Sequence, residues 1–456
     1  MKTDAKKENQ ALDGAVVPTF FKYLIPSLVG LVAMTSAALV DGIFIGNYVG
    51  VTALAAVNLI LPIMTLLFGV AIMVSIGGSV RGGKYLGERN KAAASAIFSK
   101  TLLFVAVYGA VVIGLGLVFE EELFSGLGAT EELFPVMAEY YRIMMPLLFP
   151  QLITIALYFF VRLDGFPNLA AAALVIGSAL NVVLDYLFIA EYGWGLTGAA
   201  VATGLSHALT MLVLLVYFLR PQRELRFNIR QDNWSEVLQA AYNGVSEFIN
   251  EVSGGIIAFI FNWLLIQRAG VNGVAAITVV NYLIFLSFML FFAISDSIQV
   301  LVSQNFGARN AERIRAFLGT AGAMIALLSI VFVGALLTIS EPLVYLFVED
   351  QNSTDMVALA TEFVAYVWPL FLFAGFNMLI SGYLTAIHHP FKSGLVAVCR
   401  SLILPTGFLV LLYMLWPDYR FVAALSIAEG ITFILAVALI FRYSPGKIIA
   451  GNNQTS

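Results

Sequence analysis

The sequence predicts an all-α integral membrane protein of twelve transmembrane helices in two pseudo-symmetric six-helix lobes. Three observations carry that prediction. Of the 456 residues 60% are hydrophobic and only 11% charged, with a mean hydropathy of +0.92. Apolar runs of bilayer-spanning length, about 20 residues, recur from about residue 20 to residue 443. Short motifs return at an offset of about 220 residues.

Counting apolar runs between charged or Gly/Pro-rich breaks places spans at 19–47, 51–80, 93–119, 132–161, 168–190, 195–220, 236–267, 273–304, 314–340, 355–387, 393–416 and 420–443. The tail 1–18 is basic. The apolar segment behind it is far longer than the roughly 7–15 residues of a signal-peptide core, so it reads as a retained first span. Residues 19–220 form the first lobe, 221–235 (RPQRELRFNIRQDNW) a polar linker, 236–443 the second lobe and 444–456 a polar tail.

Lysine and arginine set the orientation. One side collects Lys2, Lys6, Lys7, Lys22, the run Arg81 to Lys91, Arg162, the linker arginines, Arg309 to Arg315, Lys392, Arg442 and Lys447. The opposite loops hold Arg268 and Arg420 beside acidic stretches at Glu120–Glu122, Glu131–Glu132 and Glu349–Asp355. Both termini are expected in the cytoplasm, with the chain multi-pass in the plasma (inner) membrane.

The repeat sets the topology. Gly87-Glu88-Arg89-Asn90 answers to Gly307-Ala308-Arg309-Asn310, and Pro146 and Pro167 answer to Pro369 and Pro390 with the same 21-residue spacing. Six spans return the chain to its starting side, so the halves form a parallel repeat about an axis along the membrane normal. Such halves suit alternating-access transport.

Several function classes are excluded. No HExxH, Walker A or Ser/His/Asp arrangement is present, so an enzyme is not expected. The Gly-rich SIGGSVRGGKYLG follows no strand and lacks GxxxxGK[ST], and helix packing explains it. Three histidines and a single cysteine, Cys399, argue against a zinc site. The chain carries no nucleotide-binding domain, so energy must come from a gradient. No cofactor and no nucleic-acid partner are expected; the partners are the lipid bilayer and a small-molecule cargo, and the protein is expected to be a monomer.

Acids inside spans are the functional candidates, since a central charge costs about 2.5–3.5 kcal/mol on insertion scales. Asp41 (in SAALVDGIFIGN) and Asp185 each lie six residues before an outer span end; Thr203 and Tyr140 lie a comparable distance into returning spans. At about 1.5 Å per residue all four share one depth, roughly 10 Å inside the outer face. Asn181 lies four residues before Asp185 and so on the same helix face. This oxygen cluster supports Na+ binding, and equally proton binding, since paired carboxylates in a dry site hold protons more tightly. The competing reading has the acids interfacial or paired with a cation such as Arg142. In the second half Glu247 and Glu251 share a helix face and are candidates for lining a cleft or for capping helix contacts; Asp296 reads as structural. His207 and the turn His388-His389-Pro390 read as packing and loop residues. Pro26 removes a backbone hydrogen bond from the helix that carries Asp41, making it a candidate hinge.

The segments KYLIPSLVG, LVDGIFIGN and LGERNKAAA, and above all ALNVVLDYLFI followed by GLTGAAVATGLS, resemble the multidrug and toxic compound extrusion (MATE) transporters. The chain looks most like the bacterial and archaeal branch of DNA-damage-inducible F-type (DinF) and MepA-like proteins. The resemblance implies the MATE/MOP-type fold and export of amphiphilic cations in exchange for H+ or Na+. The branch's ion-site motif falls on Asp41, Asn181, Asp185 and Thr203, with its fourth-span tyrosine on Tyr140. Where relatives carry asparagines in the fourth span this chain has ITIALYFF, and the Glu247/Glu251 pair has no counterpart in the branch's site. The rival reading is a flippase or metabolite exporter of the same superfamily acting on a lipid-linked or small polar substrate. It is disfavoured because a polyanionic cargo calls for a basic cleft, and the acids Asp41, Asp185, Glu247 and Glu251 predominate among the intramembrane charges noted from sequence.

Overall fold

The structure, a computed structural model, describes residues 9–229, 233–339, 342 and 354–452. The first eight residues of the N-terminal tail, Arg230, residues 349–353 of the acidic stretch and residues 453–456 lie outside the described residues.

The architecture is all-α, with no strand among the described residues. Among the described residues eleven helices are long and apolar enough to cross a membrane: α1 Val16–Val49, α2 Val51–Gly87, α3 Lys91–Val118, α4 Leu133–Leu163, α5 Pro167–Glu191, α6 Gly195–Leu219, α7 Val245–Gly270, α8 Gly273–Gly307, α9 Ala311–Thr338, then, past a bent pair, α11 Pro390–Leu415 and α12 Tyr419–Ala450. The pair, Met356–Val367 and Leu370–Ala386, bends by 50° at Trp368-Pro369 and together makes α10. Proline at the break accounts for the bend, because its ring denies the helix an amide donor.

The chain divides into two compact units, Met1–Gly244 and Val245–Ser456. In the first, α1 packs on α5, α4 on α2 and α6, and α5 on α6. In the second, Ser295 of α8 donates to the Met378 carbonyl of α10 at 2.8 Å, and α12 packs on α10 and α11.

The repeat written in the sequence recurs as geometry. Arg89 and Arg309 both take positive φ (60° and 56°), the left-handed turn that ends α2 and α8. The next residue caps the following helix in each case: Asn90 accepts from the Ala93 amide at 3.0 Å and Asn310 from the Arg313 amide at 3.1 Å. Gly165 and His388 likewise share a positive φ before Pro167 and Pro390, which open α5 and α11 where a missing N–H costs nothing.

The predicted seventh span began at residue 236, and the structure breaks it. Residues Ser235–Asn243 form a separate helix that ends at Gly244 and packs on α2. Charge holds it there. Glu236 accepts from the Tyr85 hydroxyl at 2.6 Å and pairs with Arg81 at 3.4 Å and with the fully buried Lys100 at 3.7 Å. The preceding linker is tied to the same unit: Asp164 accepts from the Glu224 amide at 2.8 Å and the Tyr217 hydroxyl at 2.6 Å, while Ser95 and Ser99 accept from the amides of Arg226 and Asn228. Apolar counting ran straight through Ala240 and Ala241 because it weighs hydropathy and not the amphipathic placement of Glu236. In the second unit, at the turn before α11, burial pushes the His389 imidazole below its ordinary pKa, aided by the Lys392 charge, and its ring lies 4.6 Å from that of Tyr443.

Candidate functional site

Asp41 sits near the end of the α-helical part of α1, Val16–Phe44, one turn before a π-helical segment, Ile45–Val49. Asp185 ends the α-helical part of α5 and is followed directly by a second π segment, Tyr186–Glu191. A π turn widens the helix and shifts the side chains around it, and such turns recur at functional sites.

Two glycines bring the remaining groups in. A Cβ at Gly177 would lie 1.8 Å from the Thr210 hydroxyl oxygen, so only glycine lets α5 approach α6 there. A Cβ at Gly204 would lie 2.3 Å from Leu147, which fixes α6 against α4. One turn along α5 from Gly177, the Asn181 amide donates to the Thr203 hydroxyl at 3.5 Å, the long limit of a hydrogen bond.

Asp185 is 0% exposed, and neither of its carboxylate oxygens accepts a hydrogen bond; one carboxylate oxygen of Asp41 is likewise buried without a donor. The two carboxyl groups interact electrostatically, and the buried Tyr140 hydroxyl feels both. Arg142 does not compensate them. Its guanidinium is held by Glu120, with Nε donating to both carboxylate oxygens at 3.1 and 2.9 Å. A buried acid pair with free oxygens and an adjacent amide and hydroxyl can bind a proton or a small hard cation.

The other candidates are more scattered. Pro26 lies within the unbroken helix Val16–Phe44, roughly 22 Å along the axis from Asp41 at 1.5 Å per residue. Glu247 is buried and accepts from Gln299 at 2.9 Å, with Asp296, also buried, within electrostatic reach. Glu251, one turn further along the same helix face, is exposed. His207 is half-buried on α6.

One cluster was missed from sequence. In the second unit Arg400 and Glu429 form an ion pair at 2.8 Å, and Asn377 donates to the second Glu429 oxygen at 2.6 Å. Their exposures are 6%, 3% and 0%. The loop-by-loop count of basic residues passed over Arg400, which stands alone in the apolar run VAVCRSLILP. An arginine and a glutamate in consecutive spans was the available signal.

The MatE family profile matches residues 26–187 and 255–411, the greater part of the chain. The chain belongs to the MatE family. Among curated relatives of this MatE protein, the multidrug export protein MepA of Staphylococcus aureus (strain MSSA476) is 22% identical over 441 residues, covering 93% of this chain and 94% of the relative. The probable multidrug resistance protein YoeA of Bacillus subtilis (strain 168) is 25% identical over 354 residues, covering 73% of each. Among solved structures, a MATE protein in complex with MaL6 superposes with a TM-score of 0.88 at 23% identity, over 97% of this chain and 98% of that one, and shares the fold.

Proposed function

We propose that this MatE protein is a secondary antiporter that exports cationic amphiphilic compounds in exchange for H+ or Na+, with the coupling ion bound at Asp41, Asn181, Asp185 and Thr203. One observation carries the reading: two buried carboxyl groups share a site in which no basic side chain pairs with them, while Arg142 is engaged by Glu120. Uncompensated acids inside a membrane helix are costly, and a cation from solution is what offsets the cost. A relative named a multidrug export protein and another named a probable multidrug resistance protein support drugs as the cargo.

In the proposed cycle, ion entry neutralises the acid pair and lowers the cost of enclosing it. Loss of the ion restores the charge and favours cationic cargo. Tyr140 positions the pair, and Pro26, with no amide to donate, lets α1 bend between the two states. Each ion crossing down a tenfold gradient supplies about 1.4 kcal/mol, enough for a tenfold substrate gradient. The reading keeps both termini cytoplasmic, the membrane the plasma membrane and the working unit a monomer. A neutral asparagine mimics a permanently protonated acid, which makes it the informative substitution.

The test is efflux of a fluorescent cationic dye from proteoliposomes under a pH gradient or a sodium gradient imposed separately. Wild-type protein responds to one of them, and D41N and D185N respond to neither. Wild-type rates in both variants under both gradients would refute the assignment of the ion site.

A further inference from the structure

Arg400 stands where the repeat puts a glycine in the first unit. The offset that carries Pro167 to Pro390 carries Gly177 to position 400 and Ser206 to position 429. At Gly177 the two helices touch, with the Ser206 carbonyl 3.2 Å from where a Cβ would be. The second unit has a guanidinium and a carboxylate there instead. Arg400 lies in a π-helical turn, Cys399–Ile403, as the segments after Asp41 and Asp185 are π-helical.

The guanidinium is surrounded by groups that suit a cation. Its Nη2 donates to Glu429 at 2.8 Å, its Nη1 to the Asn250 side-chain oxygen at 3.5 Å, and its plane lies 5.3 Å from the Phe288 ring centroid. Glu429 is fixed from behind by the Asn377 amide. Two polar atoms in this buried cluster have no hydrogen-bond partner, Arg400 Nε and the Asn377 side-chain oxygen. A carboxylate and an amide oxygen around one positive charge, on an aromatic face and within electrostatic reach of Glu247, make a cation site; here the cation belongs to the protein.

We propose that Arg400 is a tethered cation that fills a cation site of the second unit formed by Glu429 and Asn250, with Asn377 holding Glu429 in place, and so restricts exchangeable ion binding to the first unit. The inference rests on the reading of Asp41 and Asp185 as the exchangeable site. A structural ion pair alone would bind nothing new when the arginine is removed; a tethered cation leaves a site that a free cation enters.

The experiment uses the full chain in the D41N/D185N background, with radiolabelled guanidinium and Na+ as probes and with thermal unfolding in detergent as a second readout. With Arg400 intact this protein has no saturable site for either probe. Adding R400A, or R400Q, which keeps more of the volume, creates a saturable guanidinium site with a single ion per chain, and low guanidinium concentrations raise the unfolding temperature of those variants alone. Adding E429Q abolishes the gain. The proposal is overturned if both Arg400 variants, monodisperse in gel filtration, bind neither probe. It is equally overturned if D41N/D185N with Arg400 intact binds a cation that E429Q removes, or if neither Arg400 variant is recovered even with guanidinium present throughout. Failure of the first-unit reading shows separately, as equal ion binding by wild type and D41N/D185N with Arg400 intact in both.

Discussion

In the first unit both Asp185 oxygens and one Asp41 oxygen are buried and accept no hydrogen bond, and Arg142 is bound by Glu120. In the second unit Glu429 has both oxygens engaged, one by Arg400 and the other by Asn377. The halves share turns, caps and helix starts, so the difference lies in a few side chains on a common backbone plan. A repeat duplicates the scaffold, and on the proposed reading the charge at one position then decides whether a site takes its cation from solution or from its own chain.

The largest expected effect breaks the first half of that comparison. D41N or D185N removes the charge that an exchanging ion must neutralise, so dye accumulation against its gradient falls to the leak level in the proteoliposome assay. Next comes the second unit. E429Q leaves buried Arg400 without its ion-pair carboxylate, and stability falls by about 3–5 kcal/mol, read as a lower unfolding temperature in detergent. The pair R400Q/E429Q recovers most of that loss, because replacing both members of a buried pair is far less costly than orphaning one.

A smaller effect tests the seam next to the boundary between units. E236Q weakens the charged contacts to Arg81 and Lys100, at about 1.5–3 kcal/mol of local stability, so limited proteolysis cuts the 221–235 linker sooner. T203V is the mildest. Its bond to Asn181 is already at 3.5 Å, so losing it costs about 0.5–1.5 kcal/mol and lowers ion affinity by at most about tenfold.

Much of this was legible in the chain. Span positions follow from hydropathy, and the repeat from Arg89/Arg309 and Pro167/Pro390, because turns that need a left-handed residue or a helix-opening proline leave fixed marks. Depth arithmetic gathered Asp41, Asn181, Asp185 and Thr203 because a rigid helix converts residue count into height. Three things were not legible. The break at Gly244 depends on Glu236 meeting Arg81, Lys100 and Tyr85, a contact across about 150 residues of sequence. The divergence of Glu247 from Glu251 depends on what packs over one face, which periodicity does not report. The partnership of Arg400 with Glu429 joins two helices, and a basic residue read only as a loop marker was left without a role.

Charge exchange in the first unit is tested most directly by adding a cationic substrate such as tetraphenylphosphonium to purified protein in weakly buffered detergent solution and recording ion release. Proton release is followed with a pH-sensitive dye and sodium release with a radiolabel. Wild type and R400Q/E429Q are predicted to release the coupling ion as substrate binds, and D41N/D185N to release none. Undiminished release from D41N/D185N would contradict the account.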